Sequence, residues 1–446
     1  MKVFPKKRNI ELNGKKKVFM KRLEGRVNES IIMCIKKASL IWGGLFILFL
    51  GVSAQDSLTI REAVEFAFER NAELQQKRAV LKQEENRWRT ETGISSPEIS
   101  YFKEGIGNGP GDVFDEKRFS VSQEIDFPVT TNFRLKGISE EVKSMRLEVE
   151  AFEYEIKAEV KRYYVEVLYA LYLQKSLQNQ HRLARDLHHA VFTKFETGMA
   201  NGIDLANAEL RLEEAKNDLD QSEWVLHKAR YGLFYAMGLP EGEQLYSINF
   251  SDTLHTSDIG ISQLEALLMK KDHPQMLASE HEIQSAAYFL KEAKSNLLPD
   301  LRLNLYKQNF GDGFHYSGFE VGLQIPIWYP FEQKGKINQA YARQDEAEWK
   351  QTQVSLEIKR EIEYAWHNYD ISRSIINRYQ ATMKNKAAEL RDLSMRAYQL
   401  GEIDLLNLLT AQQTYLNSEQ RYLSALRDYY LQLVSLEKYM GQELVY

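Results

Sequence analysis

The sequence predicts a mainly helical fold with a small β part, built from two copies of one plan. Three observations predict it. Short motifs recur at offsets of 200 to 203 residues. Two stretches of 67 residues, Thr130–Glu196 and Lys334–Leu400, hold no proline, and glycine only near their starts, at Gly137 and Gly335. Four short segments alternate apolar and polar side chains, which is the period of a strand with one apolar face.

The recurrence ties both halves together. Lys194–Glu209 reads KFETGMANGIDLANAE and Ala397–Gln412 reads AYQLGEIDLLNLLTAQ, which aligns Gly198 with Gly401, Leu205 with Leu408 and Ala208 with Ala411. Ser96-Pro97-Glu98-Ile99 matches Leu298-Pro299-Asp300-Leu301, Phe119–Ile125 matches Phe319–Ile325, and Met237-Gly238 matches Met440-Gly441. Each motif is weak alone; their shared offset is the signal.

The N-terminus stands apart. Residues 1–54 hold 12 Lys/Arg and 3 Asp/Glu, while the remainder holds 46 and 60, a net of −14. The basic start leads into the apolar run Ala38–Val52 and then Ser53-Ala54-Gln55, the layout of a cleaved signal peptide. The run has 15 residues, short of the roughly 20 that a spanning helix needs, so cleavage is favoured over a retained anchor. Met20 and Met33 are alternative starts. The only cysteine, Cys34, would leave with the signal, so no disulfide, thiolate metal site or cysteine nucleophile is expected. Beyond residue 54 no apolar stretch approaches 18 residues; a membrane crossing would have to use strands.

The first repeat is expected over 55–240. It opens with helices Ile60–Arg70 and Ala72–Thr92, followed by strands near 97–105 and 117–127. The second strand sets Phe119, Val121, Ile125 and Phe127 against Ser120, Ser122, Glu124 and Asp126. A long helix is expected over 130–196. Gly198 ends it, since glycine tolerates the left-handed backbone of a helix terminus. A helix returns over 203–237, with Leu at 205, 212, 219, 226 and 233, and Ala208, Ala215, Ser222, Ala229 and Ala236 at a second heptad position. That is an antiparallel coiled-coil hairpin whose small residues permit close approach.

A linker is expected over 241–260 and the second repeat over 261–446. Helices Ser262–Lys271 and Pro274–Asn296 precede strands near 299–308 and 316–327. The strands align Leu301, Leu303 and Leu305 on one side, and likewise Phe319, Val321, Leu323 and Ile325. Long helices are expected over 334–400 and 405–439, reversing at Gly401. The returning helix repeats Leu408, Tyr415, Tyr422, Tyr429 and Leu436, with Ala411, Ser418 and Ala425 at the small positions.

Strands of about 10 residues fit a transmembrane β-strand. Four cannot close a barrel, since bacterial barrels start at eight strands, and an open edge in lipid leaves backbone groups unsatisfied. Other chains must complete the sheet, and three chains supply twelve strands. Phe119, Val121, Ile125, Phe319, Val321, Leu323 and Ile325 are the expected lipid-facing residues. Aromatic residues near the strand ends (Tyr101, Phe102, Phe119, Phe127, Tyr306, Phe310, Phe314, Tyr316, Trp328, Tyr329 and Phe331) suggest interfacial girdles.

On these residues the mature chain, about 57–443, resembles the outer-membrane efflux protein family of TolC-like exit ducts. The resemblance rests on Gly-x5-Asp-x3-Ala at Gly198, Asp204 and Ala208, and on its partner at Gly401, Asn407 and Ala411. The proline-led strands at Pro97 and Pro299 and the segment Gln324-Ile-Pro-Ile-Trp328 add to it. It implies a homotrimer with a 12-stranded outer-membrane β-barrel, four strands per chain, continued by a long periplasmic α-helical coiled-coil barrel. It implies a periplasmic adaptor and an inner-membrane pump, of RND type, as partners. The implied aperture and adaptor-docking tip comprises Phe195, Gly198, Asp204, Ala208, Tyr398, Gly401, Asp404, Asn407 and Ala411. Asn407 stands where the family often has an acid, which weighs against an acidic cation-binding ring. Asp204 is either pore-lining or a helix N-cap, and Asp404 carries the same cap reading.

The chemistry of an enzyme is missing from the pattern. There is no Walker motif, no HExxH and no cysteine–histidine set; His188 and His189 point about 100° apart on a helix, and Asp272-His273-Pro274 reads as a helix start. His315 is the only histidine near a strand. No basic stripe with interleaved aromatics speaks for nucleic acid. The expectation is a passive duct with no cofactor and no resident metal, similar in its compact strand turns to the heavy-metal and cation efflux branch. Drug efflux, type I protein secretion and a soluble periplasmic coiled-coil scaffold are the alternatives.

Overall fold

The computed structural model describes residues 57–106, 114–239, 249–250, 252–254, 256, 259–311, 313–325, 327 and 331–445. The expected signal peptide with Cys34, much of the 241–260 linker, and Trp328 and Tyr329 lie outside these residues. Thr59–Tyr446 forms one compact unit; of the separate unit Met1–Leu58, only Ser57 and Leu58 are described.

The chain enters through two short helices, α1 (Ile60–Arg70) and α2 (Ala72–Arg87). A capping box starts α1: Thr59 accepts from the Glu62 N–H, and the Glu62 carboxylate accepts from the Thr59 N–H. Both donors would otherwise be unsatisfied at a helix start. Ile60, Ala63, Val64 and Ala67 form the buried stripe of α1. Asn71 closes α1 and caps α2. Two strands follow, β1 (Glu98–Glu104) and β2 (Glu116–Ile125).

The long helix α3 runs Pro128–Glu196, 69 residues, or roughly 100 Å at 1.5 Å per residue. Proline in its first turn lacks only an N–H that has no intrahelical partner there. After a reversal, α4 (Gly202–Ala236) returns along it. The seam is the second heptad position: Ala208, Ala215, Ser222 and Ala236 are buried. The same order of elements then follows again. α5 (Gln263–Met269) starts in a Ser262–Glu265 capping box, and α6 (Pro274–Ser295) starts at a His273 cap. Next come β3 (Asp300–Phe310), β4 (Phe314–Gln324), α7 (Gln333–Arg378), α8 (Lys384–Leu400) and α9 (Leu405–Met440).

The second long helix differs from the single piece the sequence suggests. A π turn, Tyr379–Met383, joins α7 to α8. A π turn admits one extra residue and shifts the register of the buried face. Here it lets the buried Tyr379 ring stack on Tyr422 of α9, centroids 4.3 Å apart and 15° between planes.

Near the middle of α3, Lys161 is buried among carboxylates. Its Nζ lies 2.6 Å from Glu437 Oε1 and also donates to the Val445 carbonyl. Lys157 reaches the same Glu437 oxygen at 3.1 Å. The other Glu437 oxygen accepts the Leu444 and Val445 N–H groups at 3.2 and 3.1 Å. The C-terminal tail is thereby fixed to α3. Burial lowers the Lys161 pKa, against the pull of Glu437.

The four strands form one antiparallel sheet in the order β1-β2-β3-β4. Because the register pairs odd residues with odd, one face gathers Ile99, Tyr101, Phe119, Val121, Ile125, Leu301, Leu303, Leu305, Phe319, Val321 and Leu323. Much of it is exposed in the single chain, Phe319 at 77%. Ile325 lies one residue past β4 and is also exposed. The even face is polar: Ser100 and Ser120 hydroxyls lie 2.7 Å apart, Asn304 donates to Glu320 at 3.2 Å, and Gln308 donates to Glu116 at 2.7 Å. Phe102, Tyr306, Phe310 and Tyr316 share that polar face by register. They therefore do not belong to an apolar girdle, contrary to the expectation from their position near the strand ends. Arg134 on α3 ties the sheet base to the helices through Asp126 and Glu292, each at 2.7 Å.

Candidate functional site

Both helical hairpins reverse at the end remote from the sheet, and the two reversals are built alike. Gly198 has φ +76° and Gly401 φ +80°. In the first turn the Gly198 N–H donates to the Phe195 carbonyl at 3.0 Å and the Met199 N–H to the Lys194 carbonyl at 2.8 Å. In the second, Gly401 donates to Tyr398 at 3.1 Å and Glu402 to Ala397 at 2.8 Å. Each is a Schellman ending, which satisfies the last carbonyls of the helix and needs a left-handed residue.

The helix starts that follow use the same two side chains in exchanged order. Asn201 caps α4 and accepts from the Asp204 N–H at 2.8 Å, while Asp204, at the third helical position, accepts from the Asn201 N–H at 3.4 Å. Asp404 caps α9 and accepts from the Asn407 N–H at 2.8 Å. Asp204 is therefore the reciprocal member of a capping box rather than the cap itself, and Asp404 is a cap. Each turn places one aspartate at a helix N-terminus, where the helix dipole favours it.

The two hairpins meet in one apolar cluster: Leu187 and Val191 from α3, Ala208 from α4, Tyr398 from α8, and Leu405 and Leu408 from α9. Lys194 crosses between them. Its Nζ donates to the Tyr398 carbonyl and lies 4.2 Å from the Tyr398 ring centroid. The Tyr398 phenol is pushed up by burial and further by the Asp204 charge. Gly198, Asp204, Ala208, Tyr398, Gly401, Asp404, Asn407 and Ala411 thus occupy two adjoining turns. Ala208 and Ala411 are buried, whereas Phe195, Asp404 and Asn407 are exposed. Around them Met199, Ile203, Leu400 and Leu406 are each more than 70% exposed. Sequence patterns did not single out Lys194 or Asn201, although a basic residue in the last turn of a long helix is a signal in its own right.

Just behind the cluster a cavity of about 210 Å³ separates α3 and α4 from α9, lined by Leu187, Arg211, Glu214, Asp218, Gln412 and Tyr415. No group of three or more His, Cys, Asp or Glu stands ready to hold a metal among the described residues. His188 lies 4.0 Å from Glu209 and stacks on Phe192. No described helix is long and apolar enough to cross a membrane.

Residues 268–442 match the outer membrane efflux protein family. The cobalt-zinc-cadmium resistance protein CzcC of Cupriavidus metallidurans is 20% identical over 291 residues, 65% of this chain and 68% of that one. The outer membrane protein VceC of Vibrio cholerae shares the fold with a TM-score of 0.75 at 15% identity, over 86% of this chain and 96% of that one. The CmeC outer membrane channel of Campylobacter jejuni does so at 0.74 and 17%, over 86% and 85%. The second half of the chain thus matches the outer membrane efflux protein family, and the fold across most of the chain is that of solved outer-membrane channels.

Proposed function

We propose that the chain is the outer-membrane exit duct of a tripartite efflux system, acting as a homotrimer. One observation carries this: a four-stranded sheet with one apolar face, one polar face and two open edges, β1 and β4, runs straight into helices far longer than a globular core needs. Strands of 7 to 11 residues suit the roughly 25 Å apolar band of an outer-membrane barrel. Unpaired edges in lipid cost several kcal/mol per group, so the β1 edge of one chain pairs with the β4 edge of the next. Three copies close a ring of twelve strands with the polar face inward. The similar order of elements in 60–236 and 263–440 supports an internal duplication.

The helices continue the duct through the periplasm, and the paired turns form its far end. The exposed Met199, Ile203, Leu400 and Leu406 there offer an apolar rim for a periplasmic adaptor. Opening means parting the Lys194–Tyr398 contact and the cluster beneath it; binding of adaptor and pump shifts the population toward the open state through contacts made only there. Transport is passive, and energy comes from an inner-membrane pump of the RND type. The likeness to a cobalt-zinc-cadmium resistance protein supports divalent heavy-metal cations as cargo. Deleting the gene in its host and plating on zinc, cobalt and cadmium tests the function. Loss of tolerance, restored by the intact chain found in the Sarkosyl-insoluble outer membrane, supports it. Unchanged tolerance to metals and to drugs, with the chain in the soluble periplasm, contradicts it.

A further inference from the structure

Aromatic side chains crowd the polar face of the sheet at its hairpin end. By register Phe102 and Tyr316 share one row, with Arg118 and Gln308 between them. Tyr306 stands one row toward the helices and Phe310 one row toward the hairpins. Phe102, Phe310 and Tyr316 are 47%, 37% and 52% exposed. The patch has fixed geometry. Tyr306 lies across β4 where Gly318 makes room: a Cβ on Gly318 would stand 2.5 Å from the Tyr306 Cζ. Phe310 and Tyr316 meet edge to face, centroids 6.0 Å apart. The Arg118 guanidinium sits 5.7 Å from the Tyr306 ring centroid, so one of these rings already holds a cation. Arg118 also pairs with Glu116 at 2.7 Å, and the same Glu116 oxygen accepts from Gln308 at 2.7 Å. Glu104, the register partner of Glu116, is exposed and forms no ion pair among the described residues. Its nearest base on this face, Arg118, is a diagonal neighbour already turned to Glu116. The strand lysines Lys103, Lys117 and Lys307 alternate to the other face.

Exposed rings beside an unmatched carboxylate select a particular ligand. Ring faces attract cations, and apolar ring area rewards an apolar body. An anion would meet Glu104, and a neutral ring would leave that carboxylate unused. We infer that Phe102, Glu104, Phe310 and Tyr316 form a lumenal binding site for organic cations that carry an aromatic body. This rests on the outer-membrane reading above, in which the polar face lines the barrel. The helices leave the opposite end of the sheet, so the site lies at the outer mouth of the duct. Phe102 and Tyr316 stand on the two edge strands, so ring closure brings aromatic residues of adjacent chains to each seam. The binding is weak, as conduction requires: a site along a pore must release what it holds.

The test uses the mature chain in detergent and saturation-transfer NMR with benzyltrimethylammonium, a water-soluble aromatic cation. Phenylmethanesulfonate reverses its charge and tetramethylammonium lacks its ring. Expected are weak, saturable binding of benzyltrimethylammonium and a roughly fivefold or greater weakening with either analogue. F102L/F310L/Y316L should weaken binding of the aromatic cation by a similar factor, and so should E104Q, which leaves the packing unchanged. Y101L/F119L, which removes rings from the opposite face of the same strands, should bind as the parent does. Equal binding by parent and F102L/F310L/Y316L overturns the site. So does an equal loss in Y101L/F119L, which would mark partition into detergent, and so does displacement by equimolar zinc, which would mark a site for any cation. Heat-modifiable migration and Sarkosyl insolubility, scored on the same variants, report the outer-membrane reading separately. A variant that keeps both but loses the aromatic cation isolates the lumenal site; a parent that lacks both removes the outer-membrane reading instead.

Discussion

Lys194, at the end of the first long helix, donates its ammonium to the backbone carbonyl of Tyr398 at the end of the second, and covers that tyrosine's ring at 4.2 Å. A cation from one hairpin thus neutralises the negative helix end of the other. It is the direct polar link across the apolar cluster where the hairpins meet.

Lys194→Met should loosen the tip without unfolding the chain. A charge-assisted bond of this kind is worth about 1.5–3 kcal/mol, so local opening becomes at least about tenfold more frequent. Hydrogen exchange at the Leu408 amide, which donates to the Asp404 carbonyl at 3.3 Å, is the readout, with exchange in α1 and α6 unchanged. Ionic conductance in planar bilayers should rise in the same variant.

The turn glycines separate two costs. A Cβ on Gly401 or Gly198 meets nothing within 4 Å, so Gly→Ala there carries only the left-handed penalty of about 1–2 kcal/mol. Gly238 also has positive φ, at +68°, but its added Cβ would stand 2.6 Å from the Arg70 carbonyl oxygen. Gly238→Ala should therefore lower Tm clearly more than Gly401→Ala, and Gly401→Asn should lie closest to the parent.

Capping by exchanged side chains makes a testable symmetry. Asp404→Ala removes the acceptor for the Asn407 N–H and should cost about 1 kcal/mol; Asp404→Asn keeps the acceptor and should cost far less. Asn201→Asp should be tolerated at the matching position. Thermal unfolding of the three variants in detergent gives the order.

At the C-terminal anchor the two partners are not equivalent. Glu437→Leu leaves the buried Lys161 with only the half-exposed Glu443 as a carboxylate partner, at 3.3 Å, and should cost about 3 kcal/mol. Lys161→Met still leaves Glu437 with Lys157 at 3.1 Å and two backbone N–H donors, and should cost less. A double variant milder than the sum of the singles establishes the coupling.

His273 supplies a pH dependence. It is buried, with a pKa brought down to about 4 by burial, and its Nδ1 accepts the Gln275 N–H at 3.2 Å. The folded state holds it neutral, while the unfolded chain binds a proton near pH 6.5. Stability from this group is complete above about pH 6.5 and declines as pH falls toward 4, by at most about 1.4 kcal/mol per unit. His273→Asn keeps a cap acceptor and removes the titration, so its Tm should fall less steeply than the parent's across that window.

The hairpin seam was readable in advance because small residues recur at a fixed period, and Ala208, Ala215, Ser222 and Ser418 are buried as that period requires. The reversals were readable because glycine alone suits their backbone. What could not be read was set by contacts between distant segments. The π turn depends on Tyr379 meeting Tyr422, and the Lys194 link spans 204 residues and two hairpins. Position near a strand end said nothing of side: parity sends Tyr101 to the apolar face and Phe102 to the polar one. At the tip, a single aspartate at a helix start fits cap and third position alike, and only the Asn201 contact separates them.

All of this hangs on the open edges β1 and β4 being closed by sister chains. The mass of the detergent-solubilised particle, by native mass spectrometry of the mature chain, tests that most directly. Three chains per particle, with slow amide exchange along Glu98–Glu104 and Phe314–Gln324, is the expected result. A stable single chain, or a trimer whose two edge strands exchange freely, would contradict it.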